Sequence, residues 1–283
     1  MARRAVLGSL GALLASACAP TTLLNAVAPR GGVVTASASY AEGPRHGVDV
    51  YAPAGAHQAP VVVFIYGGGW RAGDRGMYRF LGATLAAAGL VCVVPDYRVW
   101  PEVRSPAFVQ DAAQAVGWAR AHAAEHGGDP GRLFLMGHSA GAQIAALLAL
   151  NPAWLGAVGM QPGRDIRGVV GLAGPYDFLP LQSDTLKEIF GPEEQRPASQ
   201  PINFVTPGAP PMLLATGSDD TTVLPRNSTR LAAKLREAGN KAELIIYPGV
   251  GHATIMGAFS APLGFIAPVR QDVLRFITQR SQA

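Results

Sequence analysis

A serine lies at the centre of a short glycine-flanked motif in the middle of the chain. Residues 137–141 read G-H-S-A-G, with Ser139 between the two glycines. An apolar run at 133–136 precedes the motif, and an Ala/Leu-rich stretch at 140–150 follows it. This order predicts a strand, a tight turn and a helix, which would project the Ser139 hydroxyl into a cleft as a nucleophile. The structural alternative is a glycine-rich turn in which Ser139 caps the helix.

A serine hydroxyl becomes a strong nucleophile only when a base takes its proton. Where such a turn begins a triad in an α/β sheet, the chain order is serine, acid, histidine. Of six histidines, only His252 lies late in the chain, in a glycine-flanked loop after the apolar run 242–247. The loop that follows 212–215 offers two carboxylates, Asp219 and Asp220, as the group that would orient the imidazole. The sequence therefore predicts a serine nucleophile with His252 as its base.

Apolar runs alternate with amphipathic stretches from residue 33 onward. The run 61–66 is rich in β-branched residues and is typical of a strand buried on both faces. The alternation predicts an α/β fold with a mostly parallel sheet and helices on both faces, and 33–40 and 48–51 should add an antiparallel edge. The sequence predicts strands at 61–66, 90–94, 133–136, 169–172, 212–215 and 242–247, and helices at 77–88, 106–123, 140–150, 225–238 and 269–280.

The proline-rich segment 175–211 interrupts this rhythm and has little periodicity. Long irregular segments in compact domains often cover a functional site. We therefore expect a single domain over 33–283, in which 175–211 forms a small cap or lid with a short helix at 185–190.

The first 17 residues have the pattern of an export signal. Arg3 and Arg4 precede an apolar stretch, and small residues stand at 15–17 before Cys18. The tract 13–18 resembles a bacterial lipoprotein box, which would make Cys18 the lipid-modified N-terminus of the mature chain, followed by a tether at 18–32. The alternative is plain cleavage before an ordinary cysteine. We expect an exported protein of the bacterial cell envelope, periplasmic or lipid-anchored, or else a secreted one, with a lipid anchor as its only contact with the membrane.

Composition excludes several other classes of protein. Apolar residues make up 49% of the 283 and charged residues 15%, which suits a large core rather than a disordered chain. The net charge is +4, falling to +2 without the export segment, and no basic run suits nucleic-acid phosphates. Two cysteines cannot form a disulfide scaffold, and Cys92 is predicted to be a buried strand residue. No metal-ligand spacing or nucleotide-binding fingerprint is present, so no metal and no cofactor are expected.

With these motifs together, the chain resembles the α/β-hydrolase superfamily, and within it the H-G-G-G esterases: hormone-sensitive-lipase-like carboxylesterases, BD-FAE-like esterases and arylformamidase-like enzymes. Residues 66–70 read Y-G-G-G-W and resemble the oxyanion loop of those enzymes, with Tyr66 where they usually have histidine. The D-Y-R at 96–98, with Pro101, Glu102 and Asp111, resembles a scaffold stretch of the same esterases. The resemblance covers roughly residues 45–280.

The resemblance implies ester hydrolysis on a small-molecule substrate of small or medium acyl size, through an acyl-enzyme. Ser139, Asp220 and His252 would form the triad, because the D-x-x-V spacing at 220–223 favours Asp220 over Asp219. The backbone N–H groups of Gly68, Gly69 and Ala140 would form the oxyanion hole. Two alternatives stay open: an amidase, arylformamidase or peptidase on the same fold, and a catalytically inactive binding protein of the envelope.

Overall fold

The computed structural model describes residues 18–282, with side chains over 21–282. The predicted export segment at 1–17 and the side chain of Cys18, the predicted site of lipidation, lie outside the described residues. Within the described part, no helix combines the length and the hydropathy that crossing a bilayer requires.

A single eight-stranded sheet forms the centre of the protein, in the order β1-β2-β4-β3-β5-β6-β7-β8. The first two strands pair antiparallel at one edge, β2 pairs antiparallel with β4, and the other neighbours are parallel. This confirms the predicted fold class, including its antiparallel edge. The strands are β1 (Val33–Ser39), β2 (Gly47–Pro53), β3 (Ala59–Ile65), β4 (Val91–Pro95), β5 (Gly128–His138), β6 (Gly168–Leu172), β7 (Met212–Gly217) and β8 (Ala242–Tyr247).

Helices cover the sheet and join its strands. The helices are α1 (Cys18–Ala26), α2 (Arg79–Ala87), α3 (Ala107–His122), α4 (Ala140–Leu150), α5 (Pro152–Gly156), α6 (Pro162–Asp165), α7 (Asp184–Phe190), α8 (Arg226–Glu237), α9 (Thr254–Phe259) and α10 (Val269–Ser281). Short 3₁₀ helices occupy Arg75–Tyr78, Ala123–His126, Glu193–Ser199 and Pro201–Phe204.

Strand β3 lies between β4 and β5, so the strand order reverses at this point of the sheet. Its central residues are fully buried, and every residue of α4 is buried, because both elements are apolar apart from Gln143. Cys92 is buried in β4, and burial raises the pKa of its thiol. Ligands of open α/β sheets bind beyond the carboxyl ends of the strands where the order reverses. The loops after β3, β5, β7 and β8 all leave the carboxyl edge of this sheet.

Two segments outside the sheet form hydrogen bonds with the helices and loops that flank it. The segment 175–211, between β6 and β7, carries α7 and two 3₁₀ helices, and the Ile189 carbonyl accepts a hydrogen bond from the Ser105 N–H at 2.9 Å. The stretch predicted as a tether includes α1, where the Asn25 side chain donates to the Gly76 carbonyl and accepts from the Phe80 N–H.

Candidate active site

Ser139 occupies the sharp turn between β5 and α4. Its backbone has φ +53°, in the left-handed region that favours glycine, and its N–H donates to the Leu172 carbonyl at 2.9 Å. The flanking glycines are required by close backbone contacts: a Cβ at Gly141 would lie 2.0 Å from the Ile65 carbonyl oxygen, and one at Gly137 would lie 2.3 Å from the Gly141 oxygen. The turn thus holds the serine in a strained conformation at the carboxyl edge of the sheet.

The structure brings Ser139, His252 and Asp220 into one hydrogen-bonded line. His252 Nε2 lies 2.9 Å from Ser139 Oγ, and His252 Nδ1 lies 2.8 Å from Asp220 Oδ2. Asp220 is buried, and its other oxygen accepts the N–H groups of Thr222 and Val223 at 2.9 and 2.8 Å. Because a carboxylate only accepts, Nδ1 carries the imidazole proton, which leaves Nε2 free to accept from the serine hydroxyl.

Asp219, the other carboxylate of the β7 loop, lies apart from this line. It is exposed and accepts a hydrogen bond from the Ser218 hydroxyl at 2.7 Å. Its backbone N–H donates to the Val250 carbonyl, which ties the β7 loop to the loop that carries His252. The structure therefore places Asp220, and not its neighbour, beside the imidazole.

The glycine loop after β3 lies directly against Ser139. A Cβ at Gly67 would come within 3.0 Å of the Ser139 Cβ, so only glycine allows this approach. Gly68 has φ +136°, and a Cβ there would lie 2.0 Å from the Ala72 carbonyl oxygen. Gly69 has φ +61°. The backbone of Gly67–Gly69 therefore lies beside Ser139 without side chains that would block an acyl oxygen.

Tyr66 supports this loop and occupies the position where the H-G-G-G esterases usually have histidine. Its hydroxyl donates to Asp96 Oδ1 at 3.0 Å and accepts from the Arg45 guanidinium at 3.2 Å. The same guanidinium donates to the Gly73 carbonyl, at the far end of the loop. The Tyr66 ring stacks on Tyr97 with 4.6 Å between centroids. Burial, followed by the charge of Asp96, raises the pKa of the phenol, so it stays a neutral donor.

Charged residues of the predicted scaffold stretch form ion pairs below the loop. Asp96 also accepts the Arg75 backbone N–H and pairs with the Arg75 guanidinium. Asp111 is almost fully buried and accepts three hydrogen bonds from Arg98, one of them from the Arg98 backbone. None of these groups touches the Ser139 hydroxyl, and they hold the chain around the loop.

Gln143 is a site residue that motif reasoning missed. It is fully buried in the first turns of α4, where its Oε1 accepts from the Trp70 indole N–H at 3.1 Å and its amide donates to the Ser199 carbonyl at 2.7 Å. The Trp70 ring also contacts Phe178 and Phe190, with centroids 5.7 and 4.8 Å apart. A lone glutamine inside an Ala/Leu-rich helix was the only signal of it in the sequence.

A family model named BD-FAE matches residues 48–235, well over half of the chain. The chain belongs to the BD-FAE family. The match spans the glycine loop, the serine turn and the loop that carries Asp220.

Curated relatives of this BD-FAE chain carry esterase names. Isoprenylcysteine alpha-carbonyl methylesterase of Arabidopsis thaliana is 31% identical over 78% of this chain and 57% of its own length. Esterase LipC of Mycobacterium tuberculosis is 33% identical over 69% of this chain and 53% of its own length. The chain thus spans about half the length of the curated relatives that it matches.

Solved structures of similar proteins confirm the α/β-hydrolase fold. Esterase 2 of Thermogutta terrifontis with butyrate bound has a TM-score of 0.69 and 26% identity, and the match covers 88% of this chain and 93% of that one. The same esterase phosphoramylated by tabun has a TM-score of 0.70 and 26% identity, over 89% and 94%. A truncated carbohydrate esterase from gut microbiota shares the fold, at 23% identity and a TM-score of 0.71 over 90% and 100%.

Proposed function

We propose that this BD-FAE chain hydrolyses carboxylic esters of small or medium acyl size, with Ser139 as nucleophile. The observation that carries the proposal is the line from Ser139 Oγ to His252 Nε2 and from His252 Nδ1 to Asp220, set against the glycine loop. A hydroxyl is a weak nucleophile alone, and this line provides the base that activates it.

The acylation step follows from the protonation states that this line favours. Ser139 Oγ attacks the acyl carbonyl carbon while its proton passes to His252 Nε2. The imidazolium that forms lies 2.8 Å from the buried Asp220 carboxylate, which stabilises it and keeps the ring in place. Collapse of the tetrahedral intermediate breaks the bond to the alkoxy group, and His252 returns the proton to the leaving alcohol.

The negative charge of the intermediate requires donors at the glycine loop. We assign this role to the backbone N–H groups of Gly68, Gly69 and Ala140. The approach of Gly67 to the Ser139 Cβ supports the assignment, because it places the loop within reach of the reacting carbonyl. The N-terminus of α4 adds a positive partial charge on the same side.

Deacylation repeats the chemistry with water as the nucleophile. His252 Nε2 takes a proton from water, whose oxygen attacks the acyl-Ser139 ester. The free acid leaves, and the proton returns to Ser139 Oγ. Every step uses the same three side chains.

The relatives support ester substrates in general rather than one particular ester. Isoprenylcysteine methylesterase and LipC are named as esterases. The Thermogutta esterase has been solved with butyrate and with propionate bound, and tabun phosphoramylates it. We infer that Ser139 reacts with organophosphorus esters in the same way.

The test compares wild type with Ser139→Ala on p-nitrophenyl acetate and butyrate. Wild type should turn over both, and the variant should lose roughly 10⁶-fold in kcat. Ser281→Ala is the matched control, since the Ser281 hydroxyl donates to the Ile277 carbonyl in the last turn of α10, and it should keep wild-type rates. Turnover that survives in Ser139→Ala would refute the mechanism. Wild type that cleaves aryl amides or formamides but no esters would instead support the amidase alternative.

We also propose that the protein is exported and carries lipid on Cys18. The pattern of residues 1–18 is the support for this proposal. Intact mass of protein taken from the membrane fraction should show more than one acyl chain on Cys18, since stable anchoring needs more than one. A soluble mature chain that begins with unmodified Cys18 would exclude lipidation.

A further inference from the structure

His138 lies next to Ser139 and faces the loop that carries His252. It is buried, and its Nε2 lies 3.1 Å from the backbone carbonyl oxygen of His252. The two imidazole rings are 4.9 Å apart between centroids. A carbonyl oxygen only accepts hydrogen bonds, so Nε2 of His138 carries the proton and donates it to this contact.

The other ring nitrogen of His138 carries no proton. Nδ1 is buried and has no hydrogen-bond partner among the described residues. It faces the glycine loop, because a Cβ at Gly67 would lie 3.0 Å from it. Burial, followed by the charge of His252, lowers the pKa of His138 to about 3. The ring therefore stays a neutral, single-donor imidazole at any ordinary pH, including when His252 becomes positively charged.

Among the described residues, His138 is the hydrogen-bond partner of the His252 carbonyl. The carbonyls of Gly251 and Ala253 accept N–H groups from the start of α9, whereas the carbonyl between them is the one that meets His138. Gly249, with φ +71°, opens the same loop. The contact spans 114 residues of sequence and joins the two loops whose side chains meet in the Ser139–His252 hydrogen bond.

We propose that His138 is a positioning residue that fixes the backbone of His252 against the serine turn, so that Oγ and Nε2 keep their distance through the reaction. The inference rests on the proposed function of Ser139 and His252. His138 does not touch the reacting atoms itself. Its loss should lower kcat and leave KM nearly unchanged, because the acyl site is intact while the base is misplaced. A displacement of about 1 Å costs roughly 10²-fold.

Two polar substitutions of different length test this role. In His138→Gln the side-chain amide reaches the place of Nε2 and can donate to the His252 carbonyl. In His138→Asn the amide ends one methylene short and cannot. We expect kcat on p-nitrophenyl butyrate within about threefold of wild type for Gln and roughly 10–100-fold lower for Asn, with similar KM in both. His122→Asn is the control, since His122 Nδ1 also lies on a backbone carbonyl, that of Trp118 at 2.9 Å, in the last turn of α3; this variant should keep the wild-type kcat.

Equal kcat for the Gln and Asn variants, or a loss that falls on KM, would overturn the inference. ¹⁵N NMR of wild-type protein with labelled histidine gives a test without a substitution. At neutral pH, His138 should be protonated on Nε2 and unprotonated on Nδ1. The opposite tautomer would also overturn the inference. Failure of the proposed function looks different, because wild type would then be inactive or Ser139→Ala would be as active as wild type.

Discussion

Asp220→Asn changes a single atom of the site and should reverse the tautomer of His252. Asp220 Oδ1 accepts two backbone N–H groups, those of Thr222 and Val223. An asparagine must keep its carbonyl oxygen there, because an NH₂ group at that place would face two donors. Its NH₂ group is then directed at His252 Nδ1, where the carboxylate oxygen lies at 2.8 Å in the native protein. Since NH₂ only donates, Nδ1 must become the acceptor and Nε2 must carry the proton.

A proton on Nε2 removes the base from Ser139. The same substitution in a serine hydrolase of known mechanism lowers kcat about 10⁴-fold through the wrong tautomer. At about 1.4 kcal/mol for each factor of ten, this is a rise of roughly 5–6 kcal/mol in the activation barrier. The size of the side chain and the two backbone hydrogen bonds are kept, so KM and the thermal midpoint should change little.

The assay is steady-state hydrolysis of p-nitrophenyl butyrate, with thermal unfolding measured on the same samples. Asp219→Asn is the matched control, because the Asp219 side chain is exposed and accepts its hydrogen bond from the neighbouring Ser218. It should keep kcat within about twofold, as surface changes usually do. If Asp220→Asn kept a tenth of the wild-type kcat, or if Asp219→Asn were the slower variant, the assignment of the acid would be refuted.

Three further predictions concern the surroundings of this line. In Gly68→Ala the new Cβ would lie 2.0 Å from the Ala72 carbonyl oxygen. The substitution should displace the oxyanion loop and lower kcat about 10²-fold or more. An unchanged kcat would show that the loop has no part in catalysis. Tyr66→Phe removes one hydrogen bond to the charged Asp96, which keeps those from Arg75, and should lower the free energy of unfolding by about 1–3 kcal/mol in urea titrations. An unchanged midpoint would show that the hydroxyl does not support the loop. The pKa of His138 is about 3 in the folded protein, below its value of 6.5 in an unfolded chain. Between these two values the unfolded state binds more protons than the folded state. The free energy of unfolding should therefore fall as the pH drops from about 6.5 towards 3, by up to roughly 1.4 kcal/mol per pH unit. His138→Gln should show a shallower loss between pH 6.5 and 4 in the same titrations, and a slope identical to wild type would contradict the burial of a neutral ring.

Two of the predicted elements match the structure to the residue. The helix Ala140–Leu150 and the strand Ala242–Tyr247 have the predicted bounds. Strand β5 is longer than predicted, because its first half is polar and joins the sheet beside Ala59 through an irregular register that no hydrophobic pattern shows. The predicted helix 77–88 begins later, at Arg79, because the Asp74 side chain caps a 3₁₀ turn before it.

The reacting side chains could be predicted from the sequence, whereas most of the residues that support them could not. Ser139 and His252 follow from a local motif and from chain order, and the structure brings them together as predicted. The D-x-x-V spacing favoured Asp220 over Asp219 by resemblance, and in the structure Asp220 is the buried carboxylate beside His252. The roles of Gln143 and Arg45 could not be assigned from the sequence, because their partners lie tens of residues away along the chain.

Gln143 has a practical consequence for exchanging parts between members of the family. One end of its amide holds Trp70 of the glycine loop, and the other holds the Ser199 carbonyl in the segment 175–211. A chimera that receives a foreign insertion between β6 and β7 must therefore bring a carbonyl to the place of Ser199. Without it, the graft would leave a buried amide unsatisfied and weaken the support that Gln143 gives to Trp70 of the glycine loop.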